Sequence, residues 1–213
     1  MNDIYIISDY CSIRDHEVVL HGQCVYTHAY DGLQEFLTGI YQHFTVSYPK
    51  FYKMDKLSKL GFLTAELLLR NKNIHQRYAG NEVGIFLMNS SSSLDTDRNY
   101  QHSILDRNNY FPSPAVFVYT LPNIVIGEIS IRHKFTGEGT FFVQERFNPP
   151  FLVHYIKELL ARGVIQCCIT GWVETDGQNY ESVLYLIEKT DRPNAGIANF
   201  EPASIQRIFD NEK

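Results

Sequence analysis

The sequence predicts an α/β fold, a layered mixed sheet with helices packed on its faces. Three observations predict it. Short apolar runs of strand length alternate with segments whose apolar residues recur at helical spacing. No internal repeat, low-complexity tract or linker interrupts the alternation. The 213 residues are 44% hydrophobic and 14% aromatic, enough to bury a sizeable core as one domain spanning residues 1–213.

In chain order, Ile4-Tyr-Ile-Ile-Ser8 reads as the first strand and Gln34 to Tyr41 as a short helix. Pro49 closes that region, because the residue before a proline avoids the helical conformation. Asp55 is the expected N-cap of the next helix. Its carboxylate can accept a first-turn amide, and Leu57, Leu60, Gly61, Thr64, Leu67 and Leu68 then recur at helical spacing to about Arg70. Asn71 to Gly80 is a polar connection, and Val83 to Met88 is an unbroken apolar run suited to a central strand. Ser90 to Asp97 is a turn or helix start rich in capping side chains. Thr140 to Gln144 is a further strand. Asn148 caps a helix whose first turn holds Pro149 and Pro150, whose core face carries Leu152, Tyr155, Ile156 and Leu159, and which ends at Arg162-Gly163. Ile165 to Thr170 and Val183 to Glu188 are the last two strands, joined by the turn-rich Thr175-Asp-Gly-Gln-Asn179.

Charge and composition exclude several functions. A net charge of −5 and a pI near 5.9 offer no basic face for phosphate neutralisation, so nucleic-acid binding is not expected. The longest apolar region, Ala115 to Ile126, is interrupted by Thr120, Pro122 and Asn123 and falls short of the roughly 20 residues that span a bilayer as a helix. Met1-Asn-Asp lacks the basic start of a signal peptide, so the expected location is cytoplasmic. Cys11, Cys24, Cys167 and Cys168 have no metal-ligand spacing and are expected to be buried and reduced, with Cys167 and Cys168 on opposite faces of a strand. No metal and no cofactor are expected. Ser90 to Ser93 lack the Gly-x-Ser-x-Gly elbow of a serine nucleophile, and Asp95 and Asp97 read as capping or solvated residues. Gly137-Glu-Gly139 precedes a strand, where no phosphate loop belongs.

The densest pattern lies between Pro114 and Trp172. It reads Pro114-Ala-Val-Phe-Val-Tyr-Thr-Leu-Pro-Asn123-Ile-Val-Ile-Gly127, then Ile129-Ser-Ile-Arg132 and Thr136-Gly137, then Thr140-Phe-Phe-Val-Gln144, Arg162-Gly163 and Ile165-Gln-Cys-Cys-Ile-Thr-Gly171. This order resembles the N-terminal half of the β-ketoacyl synthases of the thiolase superfamily. There L-P-N-x-x-x-G, S-I-R and x-G precede a strand, the catalytic Cys at a helix tip, R-G, a second strand and a small-residue turn. Lys53-Met54-Asp55 and Val83-Gly-Ile-Phe-Leu87 also match, so the resemblance runs from Phe51 to Lys189, while residues 1–50 and 191–213 match loosely.

The resemblance implies one thiolase-like half-fold, with a mixed, mostly parallel five-stranded sheet and helices on both faces. It puts Arg146 at the nucleophile position, with no Cys near it in sequence. The family's two catalytic His and supporting Lys come from a second half that the match does not include, so none of the eight His, His133 and His154 among them, has a claim to those roles. A cation at a helix N-terminus is unfavourable without an anion, so Arg146 is expected to pair with Glu145, a partner's carboxylate or a bound anionic group. The alternative is a guanidinium turned out into water.

The function implied is a non-catalytic subunit of the chain-length-factor type in polyketide, fatty-acid or aryl-polyene biosynthesis. It would pair with an active β-ketoacyl synthase as a heterodimer, or with itself, and meet an acyl carrier protein indirectly. Thr140, Phe141, Phe142, Val143 and Gln144 are expected at the subunit interface, and Phe117, Tyr119 and Leu121 at the acyl tunnel. Two alternatives stay open: an enzyme with altered chemistry on the same scaffold, a thioesterase or malonyl decarboxylase, and a stand-alone acyl-group or acyl-carrier binding module.

Overall fold

The computed structural model describes residues 4–29, 32–106, 108, 111–177, 179–192 and 195–211. Met1 to Asp3, which bear on the leader argument, and Gln178 of the expected turn lie outside the described residues. Eight strands form one sheet: β1 (Ile4–Arg14), β2 (Glu17–Leu20), β3 (Gln23–Thr27), β4 (Val83–Asn89), β5 (Gly139–Val143), β6 (Cys167–Asp176), β7 (Asn179–Thr190) and β8 (Ala198–Asn199). Their order is β3-β2-β1-β7-β6-β4-β5, with β8 also on β1.

Within the stretch β5-β4-β6-β7-β1, β4 pairs in parallel with β5 and β6, while β7 pairs antiparallel with β6 and β1. Four of these five strands therefore point one way and only β7 runs against them, which is the mixed, mostly parallel five-stranded sheet expected. The sheet is nevertheless larger than expected, because the β2–β3 hairpin and β8 extend it beyond β1. The hairpin left little trace in the sequence. Most of β3 is exposed and β2 buries Val18 alone, so neither strand carries the alternation that a buried face imprints.

The helices are α1 (Leu33–His43), α2 (Lys56–Leu69), α3 (Ile74–Arg77), α4 (Leu94–Ser103), α5 (Pro114–Val118), α6 (Ile124–His133), α7 (Pro149–Ala161) and α8 (Pro202–Phe209). Pro49 starts a 3-10 helix that ends at Lys53. α1, α2 and α6 supply one core, and α7 and α8 supply the other on the opposite face of the sheet. Neighbouring Cys167 and Cys168 fall into these two cores, as the two-residue period of a strand requires. Desolvation raises both thiols, and Cys11, well above the ordinary range. Cys24 corrects the expectation of four buried thiols, since it lies exposed on the outer strand β3.

Two expected caps are present. Asp55 accepts the Ser58 amide at 2.9 Å at the start of α2, and Asn148 accepts the Phe151 amide at 3.2 Å at the start of α7. Gly61 lets α2 approach α6 and β6, because a Cβ there would come within 2.6 Å of Val125 Cγ2. Gly171 holds φ +149° inside β6, where a Cβ would meet the Val183 carbonyl oxygen at 2.0 Å.

Candidate functional site

The C-terminal ends of the parallel strands β4, β5 and β6 meet one group of loops, where α/β sheets place their ligands. Asn89 ends β4 fully buried, and its side chain closes the following turn by accepting from the Ser92 amide at 2.9 Å and donating to the Ser92 carbonyl at 2.8 Å. Glu174, near the end of β6, accepts from the Ser90 amide at 2.6 Å, the Ser90 hydroxyl at 2.5 Å and the Ser91 amide at 3.2 Å. The Ser90 and Ser91 amides and the Ser90 hydroxyl are thus engaged by a half-buried carboxylate. From the next strand, the Gln144 amide donates to the Asn89 carbonyl at 2.9 Å, which places Gln144 just past the end of β5.

The segment from Gln144 to Asn148 holds Arg146, the residue expected at the nucleophile position. Phe147 is buried, with its ring centroid 4.5 Å from Phe209 and 5.9 Å from Trp172. Driving Phe147 inward turns Glu145 and Arg146 outward, and both are exposed. Among the described residues no carboxylate pairs with Arg146, Glu145 included. Arg146 also stands two residues before the cap of α7, not on the helix tip. That tip has no first-turn amide to spare. Pro149 and Pro150 carry no N–H, the Phe151 amide goes to the Asn148 side chain, and the Leu152 amide goes to the Asn148 carbonyl at 3.1 Å.

Among the described residues, strand β5 lies at one end of the sheet and pairs only with β4. Thr140, Phe141, Phe142 and Gln144 are half-buried and Val143 is exposed. Phe142 is held edge-on by Phe151 at 5.0 Å and Tyr155 at 5.2 Å, both from α7.

The residues expected at an acyl tunnel separate into two kinds. Phe117 and Leu121 are 54% and 53% exposed, whereas Tyr119 is 7% exposed. The Tyr119 hydroxyl donates to Glu128 Oε1 at 3.0 Å, beside Lys50 Nζ at 2.8 Å, while the Tyr48 hydroxyl donates to the other oxygen at 3.4 Å. Burial, and then the neighbouring Glu128 carboxylate, pushes the Tyr119 phenol well above its usual range. Tyr119 also lines a cavity of about 260 Å³ that opens to the surface.

That cavity lies where the start of α2 meets α4 and α5, against Gln34 of α1 and Thr175 of β6. Asp55 crosses from α2 to α4, accepting the Thr96 hydroxyl at 2.7 Å. Burial raises the Asp55 carboxyl above its ordinary value, against the lowering effect of the bonds from Ser58 and Thr96. Glu128, Glu174 and Thr96 had no distinctive motif, since an acid or hydroxyl among helix and strand residues carries no sign of the partner it will meet.

Several other expectations can be placed. Asp95 takes the Gly177 amide at 3.0 Å, a loop tie of the capping kind. His154 is exposed on α7. His133 ends α6 with Nε2 at 2.8 Å from Glu66 Oε1, and Arg132 donates to the same carboxylate at 2.8 and 3.2 Å. Burial alone would raise the Glu66 carboxyl, but those partners hold it below its ordinary value. Among the described residues no group of three or more His, Cys, Asp or Glu is placed to hold a metal, and no helix is long and apolar enough to cross a membrane.

No protein-family model and no curated protein matches the chain. Solved structures do. The ishigamide ketosynthase/chain length factor is similar at TM-score 0.63 and 14% identity, over 90% of this chain and 63% of that one. A type II polyketide synthase acyl-carrier protein in complex with its ketosynthase bound to the hexaketide gives 0.60 and 12%, over 88% and 63%. A ketosynthase in complex with its chain length factor from Xenorhabdus doucetiae gives 0.54 and 11%, over 87% and 79%. The chain therefore has the ketosynthase/chain-length-factor fold, and it spans less than two thirds of the first two of these proteins.

Proposed function

We propose that the chain is a non-catalytic ketosynthase-like subunit that pairs with an active β-ketoacyl synthase in the cytoplasm and shapes its acyl tunnel. The observation that carries this reading is the closed tip of α7. A nucleophilic thiolate gains from free amide donors and the positive end of a helix. Here two prolines and the Asn148 cap leave no first-turn donor, Arg146 is exposed two residues before the cap, and Cys11, Cys167 and Cys168 are buried in the two cores. A site of this kind has nothing to acylate. The fold shared with ketosynthase/chain length factor proteins supports the pairing, as does the half-buried, apolar edge strand β5, which would be an aggregation liability if left uncovered. Phe117 and Leu121 are the tunnel residues free to reach a partner, because Tyr119 is committed to Glu128. Contact with an acyl carrier protein would then run through the ketosynthase.

The test is co-expression with an active ketosynthase, followed by co-purification and mass analysis of the products. A stable complex is expected, with Phe142→Asp on β5 releasing the partner. Within the intact complex, Phe117→Ala should lengthen the product and Tyr119→Phe should not. Condensing activity from this chain alone, or an intact complex whose product length ignores both Phe117→Ala and Leu121→Ala, would refute the proposal.

A further inference from the structure

We infer that the outer face of α6 is a second contact of the pairing proposed above, and that Gly127 marks the point where a helix of the partner ketosynthase packs against it. The inference rests on that pairing and carries it from the edge of the sheet to the helix beside it.

A surface helix buries one face and turns polar residues to water on the other. The buried residues of α6 are Val125, Ile126, Glu128 and Ile129. At 3.6 residues per turn, the middle of the opposite face falls on Gly127, flanked by Ile124, Ser130 and Ile131. None of these four residues is charged, and Ile131 is 63% exposed. The outer face of α7, on the other side of the sheet, is built for water, with exposed His154 and Glu158 and half-buried Lys157.

Gly127 is the sharper observation. A glycine inside a helix is destabilising relative to alanine, because it loses more backbone freedom on folding. Gly61 has a reason within the chain, since a Cβ there would come within 2.6 Å of Val125 Cγ2. A Cβ at Gly127 would meet nothing within 4 Å, and Gly127 does not hold a positive φ. The chain's own packing makes no use of this glycine. What it offers on an outer face is close approach of another backbone.

The sheet supplies the position of that backbone. α6 packs on β4 and β5 together, with Ile126 against Gly139 at the start of β5. Neighbouring strands lie about 4.8 Å apart, so a helix over both strands sits half a spacing in from the open edge. A partner of the same fold that adds its equivalent strand to β5 brings its equivalent helix to two strand spacings from α6, roughly 10 Å. Packed helices lie about 8–10 Å apart, at a distance set by the side chains at the crossing, and glycine lets them close up. The two contacts are also alike in chemistry, for neither Pro114 to Gly127 nor Gly139 to Gln144 contains a charged residue.

The test measures the affinity of the native chain and its variants for the ketosynthase that co-purifies with it, beside the urea midpoint of each variant alone. Gly127→Ala is expected to raise the midpoint, because alanine is the better helix former, and to weaken pairing. Gly127→Leu should weaken pairing about five- to 150-fold, the range for a side chain forced into a filled contact, with the midpoint no lower than native. Ile131→Glu should also weaken pairing, by burying an unpaired charge, whereas His154→Leu on α7 should leave it unchanged. Neither Gly127 nor Ile131 is buried within the chain, so lost pairing is separable from lost fold. Native affinity of Gly127→Leu, in a chain that does pair, would overturn this inference alone. So would a midpoint lowered by Gly127→Ala, which would show that the fold itself needs the glycine. A native chain that recovers no ketosynthase, or only further copies of itself, would overturn the inference together with the pairing on which it rests.

Discussion

Helices α2 and α4 meet at the same cavity and are held in the fold by opposite means. Every residue of α2 except Lys56 and Glu66 is buried, and the helix lies across the sheet against β1, β6 and β7. In α4 only Thr96 is buried. What fixes α4 is a set of polar ties: Thr96 to Asp55 at 2.7 Å, the Gly177 amide to Asp95 at 3.0 Å, and the Ser93 hydroxyl, at its cap, to the Thr120 carbonyl at 2.6 Å. Burial of a dozen residues holds α2 down together, whereas each hydrogen bond that holds α4 is worth only about 0.5–1.5 kcal/mol net. The difference teaches that the cavity has one wall built into the core and one wall of low local stability, the kind of element that opens first.

The largest break in this contrast is Leu60→Ala. Leu60 is fully buried in α2, and its truncation should cost about 2–5 kcal/mol, read as a shifted midpoint in urea with loss of the whole fold. Thr96→Val should cost less, about 1–3 kcal/mol, because it leaves the half-buried Asp55 carboxylate short of a donor. Its signature should be local: amide exchange in α4 accelerates while α2 stays protected. Equal acceleration in both helices would show that they form one cooperative unit.

The smallest effect is a slope in pH. Burial raises the Asp55 carboxyl in the folded chain, so the folded state holds that proton more tightly than the unfolded state does. Stability from this group is therefore present at low pH and falls as pH rises from the unfolded value near ~3.9 through the raised folded value, then stays flat. Asp55→Asn keeps a good N-cap and removes the titration. Native stability minus that of Asp55→Asn should decline across the acid range, and a rise would mean that the hydrogen bonds to Asp55 outweigh its burial.

α2 was legible in full: its cap Asp55, its apolar positions from Leu57 to Leu68 and its end near Arg70 all follow from local rules. The same holds for the cap of α7 at Asn148 and for the opposite facings of Cys167 and Cys168. The β2–β3 hairpin and α8 were not legible. The hairpin buries little and prints no alternation, and α8 buries a single residue, Ile205. At the candidate site, sequence order put Arg146 beside Phe147 but could not show which of the two turns inward. Competition for the core space next to Trp172 and Phe209 settles that in favour of the aromatic ring. Likewise Phe117, Tyr119 and Leu121 look alike in the chain, and only Glu128, brought up by α6, selects Tyr119 for burial.

By itself the sequence determined whatever acts over a few neighbouring residues: helix caps, the periods of strands and helices, the prolines that silence the tip of α7, and the lack of a cysteine beside it. Tertiary structure alone decided the sheet order, the extension beyond β1, the burial of Tyr119 and the cavity under α4. The physical reason is range. A cap or a period is complete within one or two turns of backbone, whereas a carboxylate such as Glu128 or Glu174 takes donors from elements far along the chain, Lys50 and Tyr48 for Glu128 and Ser90 and Ser91 for Glu174, which no local pattern records.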